Sequence, residues 1–193
     1  MTIAAITTMT LLVGLPLYAR DAKHTGDSTV TVCMNYDRGV ASENAARLIA
    51  SRMFRRVGVT LSWMTSGACP PLAIRIDLAR NTPKTFQAGA LAYAMPYEGT
   101  NIRVFYDRID NHGPEFVPRL LAHVLVHEIT HVLQGLPRHS TDGVMKAHWD
   151  KSDTSRMLSA DLPFNSEDVT WIRLGLARRA RPAQMLAALN AAP

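Results

Sequence analysis

Two histidines and a glutamate, His127, His131 and Glu128, open the stretch "HEITHVLQGLPRHSTDGVM", residues 127–145. At about 100° per residue, the two imidazoles fall on one helix face, offset by only ~40°. Side chains so placed can reach one zinc ion at Zn–N distances of about 2.0–2.1 Å. Glu128 lies on the flank of the pair, where it can touch a zinc-activated water without ligating the metal. That is the position of a general base for hydrolysis. Chance alone puts HExxH in on the order of one in a hundred chains of this length, so the surroundings decide. Here the three groups interrupt the otherwise apolar "LLAHVLVHEITHVL", and burying them without a metal would be costly.

A catalytic zinc needs a third protein ligand and an open position. The candidates are His139, Asp142, His148 and Glu167. The turn at Gly135-Leu136-Pro137 sends the chain back toward the helix, which favours His139. Asp142 lies on the same loop, and Glu167 would suit a site closed from a second helix. His123, one turn before His127, reads as a core residue or as one that orients the site by hydrogen bonding. His24 and His112 have no context that raises them above surface residues.

The elements that must hold this site are legible from periodicity. "TVTVCMNY" (29–36) alternates as a strand should. "SENAARLIASRMFRRVG" (42–58) reads as an amphipathic helix with Ser42 as its N-cap and a stop at Gly58. "VTLSW" and "LAIRIDLA" follow as strands, then "GALAYAMPY" and "IRVFYDRI" as a strand pair joined at Glu98-Gly99. Pro114 and Pro118 open the histidine helix, which runs to about Gln134 and is apolar on most sides, hence buried. "NSEDVTWIRLGLARRA" is a further helix, capped by Asn165 or Ser166, with acids in its first turn and arginines in its last. The tail "PAQMLAALNAAP" reads as a short helix or a fraying end. The fold class expected is α+β: a mixed four- to five-stranded sheet with an amphipathic helix and a buried zinc-binding helix.

The chain of 193 residues, 47% hydrophobic and without internal repeats, is long enough for one domain with a real core. Residues 1–19 read as a signal peptide cleaved after Ala19, since the uncharged apolar run Ile3–Leu17 is short for the ~20 residues of a membrane span. An uncleaved amino-terminal anchor is the alternative. Either places residues 20–193 outside the cytoplasm, secreted or periplasmic, with no stable membrane insertion once the leader is removed. In such a compartment Cys33 and Cys69 pair more readily than they stay free. The net charge of +5 comes largely from arginines such as Arg52, Arg55, Arg56, Arg173, Arg178, Arg179 and Arg181. They lie on amphipathic helices and read as solvated faces, so no nucleic-acid partner is expected. No acidic cluster of EF-hand type calls for calcium.

The stretch from His127 to Met145 resembles the metzincin clan of zinc metallopeptidases, whose pattern is HExxHxxGxxH followed by a methionine turn. His127, Glu128 and His131 match directly; Gly135 falls one place late and His139 two, with Pro137 where the third histidine is usual. "GxxxHS" followed by "GVM" and a tryptophan is closer to small secreted bacterial metzincin-like proteins. The resemblance implies a zincin-type fold, Zn2+ held by His127, His131 and His139, and Met145 as the methionine-turn residue. Met145 is otherwise a core residue. Only five residues separate His139 from Met145, so the turn must be tight. Ala147 stands where some families carry a tyrosine ligand. In this fold an antiparallel edge strand holds extended substrate, a role for "GALAYAMPY", whose Gly89, Ala90, Ala92 and Ala94 would admit a peptide. An ordinary edge strand is the other reading.

The function implied is a secreted zinc-dependent endopeptidase acting on peptide or protein substrates, with Glu128 as general base. Two alternatives stay open: a noncatalytic zinc-stabilised binding domain on the same scaffold, and a hydrolase of nonpeptide amides in the cell envelope. Substrate preference and oligomeric state are not written in these motifs.

Overall fold

The computed structural model of the chain describes residues 28–35, 41–87, 89–94 and 100–190. The expected leader, His24 and the expected turn at Glu98-Gly99 lie outside the described residues. Five strands form one sheet: β1 (Ser28–Asn35), β2 (Val59–Met64), β3 (Ile74–Ala79), β4 (Ala92–Ala94) and β5 (Asn101–Phe105), in the order β2-β1-β3-β5-β4. β1 runs parallel to β2 and β3, and β3 parallel to β5. A parallel neighbour cannot be reached by a tight turn, and helix α1 (Ala41–Arg55) supplies the crossover from β1 to β2. β4 is antiparallel to β5, with Ala92 opposite Val104 and Ala94 opposite Ile102, and forms an edge of the sheet.

The period-2 pattern turns Val59, Leu61, Ile74, Ile76, Ile102 and Val104 into the core. Arg75, Asp77 and Arg103 face solvent, where Asp77 and Arg103 are register partners and pair at 2.9 Å. One face of the sheet is therefore covered, by α1 and by α3 (Val117–Gln134), which pack against each other. Every residue from Leu120 to Gln134 is buried, because α1 and the sheet pack along α3 and α5 (Ser166–Asn190) closes over its end. The approach is so close that a Cβ on Gly175 would stand 1.7 Å from the Leu133 carbonyl oxygen; only glycine fits there. The architecture is α+β, as the change from strands to helices along the chain implies. Cys33 and Cys69 are bonded, tying the end of β1 to the β2–β3 connection with Cα atoms 6.0 Å apart.

Several local expectations are corrected. Helix α1 already includes Ala41, so Ser42 is a first-turn residue and its hydroxyl instead bonds the Tyr106 hydroxyl at 3.0 Å. "IRVFYDRI" is strand only to Phe105; burial of consecutive Val104, Phe105 and Tyr106 breaks the alternation, and a short helix α2 (Tyr106–Ile109) follows. Helix α3 starts at Val117 rather than Pro114, with Pro118 in its first turn. Helix α4 (Lys151–Ser159) has no apolar stripe to announce it, since only Met157 is buried. Its start is fixed by a reciprocal cap: Asp150 accepts from the Ser152 and Asp153 N–H groups, and Asp153 accepts from Asp150 N–H. Helix α5 is capped by Asn165 and continues through Pro182 to Asn190.

Candidate metal centre

Helix α3 carries His127 and His131 with one turn between them, so their Nε2 atoms meet at 3.0 Å. Gly135, in the left-handed region at φ 66°, ends the helix and turns the chain back. The returning loop brings His139 to the pair, and the metal-binding atoms of His127, His131 and His139 all lie within 4.8 Å of one another. A tetrahedral zinc with bonds of about 2.0–2.1 Å asks for nitrogens ~3.3 Å apart. The other candidates are elsewhere. Asp142 is exposed and accepts from the Asn165 side chain at 3.4 Å. Glu167 is committed to Arg138 at 2.7 Å. His148 lines the same cleft but is not one of the converging group.

The protonation pattern tests whether a metal fits. His127 Nδ1 lies 2.9 Å from the Val144 carbonyl and His131 Nδ1 3.0 Å from the Leu136 carbonyl. A carbonyl only accepts, so each neutral ring carries its proton on Nδ1. Two Nε2 lone pairs then face each other at 3.0 Å, a repulsion that a cation held by both would relieve. Burial disfavours a proton in that place: helped by the neighbouring imidazoles, it pushes His127 down to about 3 and His131 to about 4. His139 is lowered too, by burial and by the charges of His148 and Arg138. The donor set thus fits a divalent metal that prefers imidazole, as zinc does.

Glu128 is buried, 8% exposed, and lines a cleft of about 660 Å³ together with the three histidines. Burial pushes its carboxyl up to about 8. Edge strand β4 borders the cleft through Ala92, Tyr93 and Ala94, and residues Lys146–Trp149 border it too. Phe116, Leu120 and Val124, spaced four apart on or beside α3, make it apolar away from the histidines. Trp149 stands edge-on to His127, ring centroids 5.7 Å apart. His112 is exposed, as expected, and also lines the cleft.

Among the solved structures, the chain is similar to archaemetzincin from Methanopyrus kandleri, with a TM-score of 0.51 and 14% identity. The match covers 80% of this chain and 98% of that one. The fold is archaemetzincin-like. No protein-family model matches the sequence, and no curated protein matches it. The likeness is therefore one of fold, and the chemistry rests on the side chains themselves.

Met145 is fully buried, at the end of a tight loop. Its carbonyl accepts the Ser140 N–H at 2.8 Å, and the preceding Val144 N–H donates to Pro163 at 2.9 Å. His123 is not at the metal group. Its Nδ1 bonds the Arg119 carbonyl at 2.7 Å and its Nε2 accepts the Leu162 N–H at 3.0 Å, pinning the α4–α5 connection to α3. Sequence reasoning missed the carbonyls of Val144 and Leu136, which no side-chain motif encodes. It also missed Asp168, fully buried beside the His139 loop; its place in the first turn of α5 signalled only a helix cap.

Proposed function

We propose that this protein is a zinc-dependent peptidase of metzincin type, with His127, His131 and His139 as ligands, Glu128 as general base and Met145 as the base of the site. The observation that carries the reading is the pair of facing Nε2 atoms at 3.0 Å, with His139 closing the group and Glu128 beside it in an open cleft. Zinc bound there would polarise a scissile carbonyl and acidify a water molecule. Glu128 takes the proton of the attacking water and passes it to the leaving amine. In the metal-free site burial raises this carboxyl to about 8, and a cation bound beside it would favour the ionised form that a general base needs. Strand β4, unpaired on its outer side among the described residues, offers backbone groups to an extended peptide. The apolar wall of Phe116, Leu120 and Val124 suits an uncharged side chain next to the cleaved bond.

Residues 20–193 form the catalytic unit, exported behind the leader. The Cys33–Cys69 bond and the absence, among the described residues, of a helix long and apolar enough to cross a membrane accord with that location. The test is cleavage of a diverse peptide mixture by the zinc-loaded protein, read by mass spectrometry beside Glu128→Ala and a chelated control. Cuts that vanish in both controls are expected. One equivalent of bound zinc with no cuts would point instead to a binding domain or a nonpeptide amide substrate.

A further inference from the structure

The three histidines are not held alike. His127 and His131 stand on a buried helix, and each ring is fixed by a carbonyl on its Nδ1. His139 is exposed on a loop, and no protein hydrogen bond reaches its ring among the described residues. A ligand left free to swing binds metal weakly, because ordering it is charged against each binding event. Something else must hold His139 in place.

We propose that Asp168 is the positioning residue for this third ligand, acting through the two chain neighbours of His139. The inference rests on the metal reading above. Asp168 Oδ1 accepts from the Ser140 hydroxyl at 2.6 Å and from the Arg138 guanidinium at 2.8 Å. His139 is thus clasped on both sides by one oxygen. The other oxygen accepts the Asn165 N–H at 3.1 Å, and the Asp168 N–H donates to the Asn165 side chain at 2.8 Å. The Asp168 carbonyl accepts from Gln134, the last residue of α3, at 3.3 Å. The carboxylate is 0% exposed, and a charge so placed is stable only while these partners stay. The first turn of α5, the end of α3 and the His139 loop therefore lock together, and the loop is ordered before metal arrives.

The experiment is a set of zinc-competition titrations on the full chain, with cobalt substitution to read ligand geometry by visible absorption. The variants are Asp168→Asn, Ser140→Ala, His139→Ala and the two double variants that combine His139→Ala with each of the others. Metal-free thermal midpoints establish that each variant is folded. With His139 present, Asp168→Asn is expected to weaken zinc binding by about 10–100-fold, as for other groups that orient ligands. Ser140→Ala, which removes one bond and leaves the buried charge paired with Arg138, weakens it less and serves if Asp168→Asn does not fold. The cobalt spectrum of either shifts toward that of His139→Ala. In the His139→Ala background neither change should weaken zinc binding further. Equal losses in both backgrounds, or no loss with His139 present, would overturn the clamp while leaving the metal site standing. Wild-type protein that binds no zinc would overturn the metal reading, and the clamp with it.

Discussion

His127 Nδ1 donates to the carbonyl of Val144, 17 residues further along the chain, at 2.9 Å. That bond selects the tautomer and so decides which nitrogen faces the metal. It depends on a loop that only glycine can form at its bend: Gly143 has φ +72°, and a Cβ there would stand 2.3 Å from the Pro163 carbonyl oxygen. Gly143→Ala should destabilise the metal-free protein by about 2–4 kcal/mol, from left-handed strain plus overpacking. Zinc affinity should fall with it, because the Val144 carbonyl moves. Urea unfolding and zinc competition measure the two effects. Unchanged zinc affinity in a destabilised variant would show that the loop does not orient His127.

His139→Ala should cost more zinc affinity than the ~10–100-fold typical of an orienting group, because it removes a ligand outright. His148→Ala, Asp142→Ala and Glu167→Gln should each leave the affinity within a few-fold. Glu167 is exposed and engaged with Arg138, and Asp142 faces Asn165. Isothermal titration of the four variants ranks them. A loss at Glu167 or Asp142 matching that at His139 would reassign the third ligand.

How far the sequence could be read follows from which forces leave a local trace. The one-sided sheet writes its alternation directly into Ile74, Ile76, Ile102 and Val104. The histidine helix announces itself because its three polar groups share five residues of an apolar run. His139 was reachable because Gly135 breaks the helix close by. Helix α4 was not legible, since a reciprocal Asp150–Asp153 cap and a single buried Met157 make no periodic signal. Ser42 misled because a serine before a helix is a cap by propensity, whereas its hydroxyl here answers Tyr106, 64 residues away. Asp168 shows the same limit: its local role at the α5 start is visible, and its hold on Arg138 and Ser140 needs the packing of α5 against α3.

The Cys33–Cys69 bond closes a separation of 36 residues, a loop whose closure is worth roughly 3–4 kcal/mol through the unfolded chain. Reduction, or Cys33→Ser with Cys69→Ser, should lower the urea midpoint accordingly. The bridge lies outside the cleft-lining set, so zinc affinity should hold in the folded reduced protein. A midpoint unmoved by reductant would mean that the bond adds no stability.

Removing zinc exposes a pH dependence set by the site itself. In the metal-free protein burial holds His127 and His131 down to about 3 and 4 from 6.5, and holds Glu128 up to about 8 from 4.5. Below 6.5 the unfolded chain takes up protons at both histidines that the folded one refuses, so stability is lost as pH falls. Above 4.5 the unfolded chain has released the Glu128 proton while the folded one keeps it to about 8, so this carboxyl costs stability as pH rises. Between 4.5 and 6.5 these two histidines, joined by His123 and His139, which burial also lowers, outweigh one carboxyl, and beyond 6.5 the carboxyl dominates. Stability of the chelated protein should therefore peak near pH 6.5 and decline toward pH 8. Glu128→Gln should flatten the decline above 6.5 and leave the acid limb in place, in melting curves recorded across pH with chelator present. With zinc restored the same variant should bind metal and lose turnover by about 10²–10⁴-fold, the usual weight of a general base. A Glu128→Gln protein that kept the alkaline decline would show that this carboxyl is not held neutral in the cleft, and one that kept its turnover would remove Glu128 from the mechanism.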